Sequence, residues 1–297
     1  MKNSILLAIL LCFIFSLKTE AQAKSIVRFS IVYSFYADTG CRKLVVKTIL
    51  PQNISQKQQV LEFTAFPTPD SIYQANGCNY ANFTLQDIQG EQKIRIGGRA
   101  LIYEYDVRKN LKKEGVLLKD YKVPDSLYQY VLPERFIESA DETIKQCADS
   151  LKARTLFGTV KNIYHYVQKN VTYKEFHYSL GARNALLLKT GDCNEFADLF
   201  IALCRANGIP ARKADGILMT EIGRGYHAWA EVFVDEVGWI ALDPTQHQDA
   251  LDFMSRPHLY FSTIRNNPEL NYNSSCMRYN ANGSRIKLVD AFKLTVE

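Results

Sequence analysis

No charge of one sign dominates this chain. Lys and Arg number 36 against 31 Asp and Glu in 297 residues, and the two signs are interspersed, so the basic face that nucleic acid requires is absent. Glycine and proline are scarce, at 15 and 9, which excludes a collagen-like or low-complexity chain. No two cysteines are three apart, so neither Cys-x-x-Cys redox chemistry nor a cysteine zinc cluster is indicated. There is no Gly-rich phosphate loop, no His-x-x-x-His or His-Glu-x-x-His pattern and no calcium loop, and no cofactor is expected. His247 and His258, with Asp249 and Asp252 between them, read as polar surface and not as a metal site.

Long apolar runs are missing except at the start. Lys2, the apolar run from Ile5 to Leu17 and the small-x-small step Ala21-Gln22-Ala23 have the form of a signal peptide over residues 1–23. That run falls short of the roughly 20 residues needed to cross hydrocarbon. The expectation is an exported chain, periplasmic or secreted, with no stable membrane insertion after cleavage. Export permits disulfides, and Cys41 with Cys78 is a candidate bridge.

Two periodicities divide the remainder. From Ile26 to about Val107 the pattern has period two, in short runs bounded by Pro51, Pro67 and Gly90, and residues 24–118 read as a β-rich, sandwich-like domain. Gly97-Gly98 marks a candidate bulge. A charged linker covers 109–121, and residues 119–297 form the second domain, including a closing strand over 285–296. Ile144, Cys147 and Leu151, then Leu156, Val160, Ile163 and Val167, recur at helical spacing, with Ser139-x-x-Glu142 as a candidate capping box. The fold class expected is α+β.

The chemistry concentrates in residues 190–245. Asp192 can cap a helix whose first turn contains Cys193 and whose buried stripe is Phe196, Leu199, Phe200 and Leu203; Gly208 and Pro210 end it. The outward N–H groups at such an N-terminus favour negative charge, the form of sulfur that attacks carbon. A strand over 226–234 carries His227, and 239–242 leads to Asp243-Pro244-Thr245. A hairpin centred on residue 235 sets His227 opposite Asp243 and Glu231 opposite Trp239. Nucleophile, base and orienting acid are then Cys193, His227 and Asp243. Glu231, inside an apolar strand, is expected to need a structural hydrogen bond or salt bridge, with Arg212 as a candidate member of that polar network. Tyr164, Tyr166, Tyr173, Phe176 and Tyr178 are ordinary packing or a peptide-binding wall.

On these residues the sequence resembles the transglutaminase-like superfamily, whose core is a circularly rearranged relative of the papain fold. The matching text is Gly191-Asp192-Cys193, Phe196-Ala197-x-Leu199, Arg205-Ala206-x-Gly208-Ile209-Pro210-Ala211-Arg212, His227-Ala228-Trp229-Ala230-Glu231-Val232 and Gly238-Trp239-x-x-Leu242-Asp243-Pro244-Thr245, within residues 151–245. The β-rich region is similar to the small N-terminal domain of bacterial members. The resemblance implies Cys193, His227 and Asp243 as catalytic residues and a peptide or protein substrate, with the cell envelope as its setting. It implies a cysteine peptidase or amidase, a protein crosslinker, or a catalytically silent binding domain. Hydrolysis is favoured because water is always at hand and nothing identifies a lysine donor.

Overall fold

The computed structural model describes residues 24–103, 116–218, 226–235, 237–245, 258–272, 275–282 and 285–297. The expected leader, most of the charged linker, and His247, Asp249 and Asp252 lie outside them. The architecture is α+β, with a curled antiparallel sheet, a second antiparallel sheet and a set of helices.

The first sheet is built on two long strands, β1 (Lys24–Leu50) and β4 (Cys78–Tyr103), joined by β2 (Gln58–Phe66) and β3 (Ser71–Ala75). The short runs expected from the sequence are thus continuous strands. In β1, Val27, Phe29, Ile31, Tyr33 and Phe35 all face the core; after a register shift between Ala37 and Cys41 the buried set is Leu44, Val46 and Thr48. That shift inserts two residues, an even number that leaves Cys41 buried on the odd parity, and the buried set passes to even positions only between Cys41 and Leu44. The Gly97-Gly98 pair is not itself bulged: it pairs regularly with Thr64 and Phe63, and the register shift of β2, between Val60 and Glu62, lies opposite Ala100 and Arg99. A Cβ at Gly98 would stand 2.0 Å from the Glu62 carbonyl oxygen and 2.8 Å from the Phe29 ring.

Helices α1 (Glu142–Ser150) and α2 (Leu156–Asn170), the short strand β5 (Thr172–Tyr173), helix α3 (Ala182–Leu188) and strand β6 (Thr190–Gly191) lead to the central helix α4 (Cys193–Ala206). Asp141, and not Ser139, caps α1, through the Thr143 and Ile144 amides. The second sheet has the order β10–β7–β8–β9, from β7 (Ala211–Leu218), β8 (Tyr226–Val234), β9 (Gly238–Leu242) and β10 (His258–Ser262). Every residue of α4 from 195 to 205 is buried, not only the expected stripe, because the other helices cover what β7 and β8 leave open. His258 is also buried, against Trp229 and not at the surface.

The last strands, β11 (Met277–Asn282) and β12 (Ile286–Val296), follow the second region in the chain but pair with β1 in the first sheet. The two sheets share side chains: Ile217, Leu259 and Phe261 join the apolar core of the first. Gln58 donates to the Tyr260 carbonyl at 3.0 Å and accepts its amide at 2.7 Å, which satisfies both groups away from water. Cys41 and Cys78 are both free and buried, so the candidate bridge is not present. Their strand partners differ: Cys41 pairs with Ile88 and Cys78 with Ala75.

Gly98→Ala is expected to lower stability by about 1–3 kcal/mol, the cost of overpacking. A urea midpoint unchanged from the parent would contradict the close approach of β2.

Candidate active site

Cys193 is the first residue of α4 and is half-buried. The turn before it is fixed twice. Asp192 accepts the Asn194 amide at 2.8 Å, and Glu195 Oε2 accepts the Asp192 amide at 3.1 Å, completing a capping box. Glu195 Oε1 accepts the Leu180 amide at 2.9 Å. A Cβ on Gly191 would fall 2.2 Å from that of Glu195, so only glycine allows the helix to start this close to β6. Burial, together with the Asp192 charge, raises Glu195 to about 7. Behind the turn, the buried Lys213 ammonium donates to Asn194 at 2.8 Å and lies 2.7 Å from Asp215.

His227, on β8, holds Asp243 through Nε2 and Oδ2 at 2.7 Å. The hairpin register differs from the expected one by two in the sum of paired numbers: Phe233 faces Trp239 and Glu231 faces Ala241. Val234 pairs with Gly238, whose φ of 86° allows the turn to close one residue later than the centre chosen from the sequence. The displacement is even, so side-chain parity survives and His227 and Asp243 still share a face. Asp243 follows the last paired residue of β9, Leu242.

Three further groups secure this acid and its base. Thr245 donates to Asp243 Oδ1 from its amide at 3.0 Å and from its hydroxyl at 2.6 Å. The Tyr164 hydroxyl donates to the Asp243 carbonyl at 3.0 Å. Trp229 lies nearly parallel to the His227 ring, with centroids 6.4 Å apart. The Asp-x-Thr spacing was a sequence signal for the first, whereas the Tyr164 contact spans 79 positions and had none.

Burial opposes charge on the His227 ring, but the Asp243 charge and hydrogen bond, with a hydrogen bond and charge interaction from Cys193, raise it to about 10. Burial likewise opposes charge on Asp243, but His227 and the Thr245 hydrogen bond lower it to about 2. The Asp243–His227 pair holds an imidazole in a fixed orientation, the kind of base that acyl transfer by a nearby thiol uses.

Glu231 lies beyond the pair on β8 and is fully buried. Arg212 donates to it from two nitrogens at 2.7 Å, Tyr260 donates at 3.0 Å, and Lys57 from the first sheet's β1–β2 connection completes the cluster. Burial pushes this carboxyl up, yet the Lys57 and Arg212 charges more than offset it and hold it below the ordinary value. Of the hydrogen bond or salt bridge expected for Glu231 both are formed, with Arg212, with Tyr260 and with Lys57, a residue far away in sequence. Trp239 packs beside it, with the Arg212 guanidinium 4.1 Å from its ring centre. Among the described residues no group of His, Cys, Asp and Glu could hold a metal ion.

Residues 144–244 match the family model described as the transglutaminase-like superfamily. An uncharacterized protein of Mycobacterium tuberculosis is 32% identical over 113 residues, 33% of this chain and 36% of that protein. The uncharacterized protein YebA of Bacillus subtilis is 25% identical over 156 residues, 43% of this chain and 21% of that one. The chain thus spans little more than a third of the length of the mycobacterial relative it matches. A crystal structure from Cytophaga hutchinsonii, described as a candidate cysteine protease, aligns with TM-score 0.67 at 15% identity, covering 92% of this chain and 98% of that one. These likenesses establish a transglutaminase-like, papain-related fold at low identity. No helix among the described residues is long and apolar enough to cross a membrane.

The ion pair fixes a pH window. His227, ordinarily 6.5, is raised, so its contribution is full below about 6.5 and is lost as pH rises through about 10. Asp243, ordinarily 3.8, is lowered, so its contribution is full above about 4 and is lost as pH falls towards about 2. The stability gap between the parent and Asp243→Asn should therefore be widest between about pH 4 and 6.5 and shrink on either side. Melting curves showing a gap that is flat from pH 3 to 10 would contradict the pairing.

Proposed function

We propose that this chain is a thiol-dependent acyl-transfer enzyme acting on peptide or protein amides, with hydrolysis as its outcome. The observation that carries the reading is the 2.7 Å bond between His227 and Asp243, with Cys193 at the start of the helix that packs against the strand of His227. With Nε2 engaged by Asp243, Nδ1 is the nitrogen that exchanges a proton with the substrate. The Cys193 sulfur attacks the amide carbon, and the carbonyl π electrons move onto oxygen. The Cys193 backbone N–H, at the first helical position and without an intrahelical partner, is a donor to that oxyanion. His227 delivers a proton to the nitrogen as the C–N bond breaks, leaving a thioester and a free amine. His227 then takes a proton from water, whose oxygen attacks the thioester; the C–S bond breaks, releasing the acid and restoring the sulfur. Asp243 keeps the ring oriented and offsets its positive charge throughout.

An amine attacking the same thioester would give a crosslink, and the two outcomes separate only at that step. The description of the Cytophaga structure as a candidate protease supports hydrolysis. The leader-like residues 1–23 support export to the periplasm or the medium. The chain-order division into 24–118 and 119–297 is retained as a proposal, with β11 and β12 lending the second unit's tail to the first sheet.

Labelled peptide amides, offered with and without a free amine, test the reading. Cys193→Ala is expected to abolish product, and His227→Ala to slow it by about 10²–10⁴. Product formation that survives Cys193→Ala would refute the nucleophile, and a dominant amine adduct would replace hydrolysis by crosslinking.

A further inference from the structure

The segment 173–180 runs beside the nucleophile and is tied down at both ends. Tyr173 pairs in parallel with Gly191, two positions before Cys193, and the Lys174 amide donates to the Gly191 carbonyl at 2.8 Å. At the other end the Leu180 amide donates to Glu195, two positions after Cys193. A segment held this firmly nevertheless turns its aromatic rings outward. Tyr173 is 51% and Tyr178 69% exposed; the Tyr173 ring lies 6.2 Å from Phe196 of the nucleophile helix, and Phe176 and Tyr178 are 6.1 Å apart. Leu187 and Leu188 of the neighbouring α3 are exposed as well.

Large apolar groups exposed together on a clamped backbone mark a recognition surface more strongly than scattered ones. The charges around them indicate the occupant. Exposed Lys174 stands 5.4 Å over the Phe176 ring, and exposed Lys189 accepts the Thr172 amide on its carbonyl, one residue before Tyr173. Glu175 is the only acid within residues 172–179. Cations flanking aromatic rings complement a ligand that carries an acid next to a ring or a large aliphatic group.

We propose that 173–178 is the wall that selects the acyl donor, an extended peptide with an aromatic or large apolar side chain beside an acidic one. This deepens the acyl-transfer reading and rests on it. Tyr173 and Tyr178 supply the apolar contact, Lys174 and Lys189 set the charge preference, and Glu195, as a positioning residue, holds the wall against the turn that carries the sulfur.

The test separates binding from chemistry. Fluorescent peptides that differ only in one residue pair (acid–Phe, acid–Ala and Lys–Phe) are titrated into the Cys193→Ala protein and followed by anisotropy. The acid–Phe peptide should bind most tightly. Adding Tyr173→Ala or Tyr178→Ala should weaken it about tenfold while changing the acid–Ala peptide much less, and the Tyr→Phe variants should retain it. Lys174→Glu with Lys189→Glu should abolish the preference for acid over Lys. Equal binding of all three peptides, no binding of any, or losses that ignore the peptide's side chain would overturn the wall. Iodoacetamide labelling of Cys193 in the parent protein is scored separately. An inert thiol beside intact peptide selectivity would sink the acyl-transfer reading and leave the wall standing as a binding surface.

Discussion

A carboxylate withdrawn from water must be paired, and at Asp243 that requirement organises the end of a sheet. Only 4% of the residue remains exposed, and each face of its carboxyl has a partner: His227 on Oδ2, Thr245 on Oδ1. Removing either partner would leave buried charge uncompensated, which costs far more than an exposed pair returns. The result is an imidazole whose position and protonation are set by its neighbours.

The same logic recurs around the site. Asp198, fully buried on α4, is gripped by Arg265 through two hydrogen bonds at 2.7 and 2.8 Å. Arg205, near the other end of that helix, pairs with Glu134 at 2.9 Å and donates to the carbonyls of Ala211 and Leu132. Glu231 collects Lys57, Arg212 and Tyr260. Bidentate and multi-partner pairs have directional geometry that apolar packing lacks, so they hold the helix, the sheet and the first sheet's connection in one register. The Lys57 contact ties the β-rich region to β8, the strand that carries His227, and the Gln58 bonds tie it to β10 of the same sheet. That region is thereby part of the site's scaffold.

Reading along the chain recovered what depends on neighbours in sequence. The Asp192 cap, the α4 stripe, the Gly208 exit at φ 71° and the alternation in β1 all follow from side chains acting within a turn or a strand. The errors fall where two equivalent local solutions competed. Asp141 and Ser139 can both cap α1, and the chain uses the one nearer the first helical residue. Hairpin centres at 235 and one residue later keep the same faces together, and the positive φ of Gly238 selects the later one. Cys41 and Cys78 look pairable by number alone, yet strand register gives each a different neighbour.

By itself the sequence determined the helix that presents Cys193, the strand faces of His227 and Asp243, and the resemblance that ties the three together. Each of these is local or a matter of parity, and period-two and period-3.6 patterns survive without knowledge of the whole. Tertiary structure alone decided the return of β11 and β12 to β1, the reach of Lys57 to Glu231 and the donation from Tyr164 to Asp243. These join residues far apart in the chain. Their pairing is set by which buried charges and strand edges remain to be satisfied once the elements pack, and no local pattern encodes that.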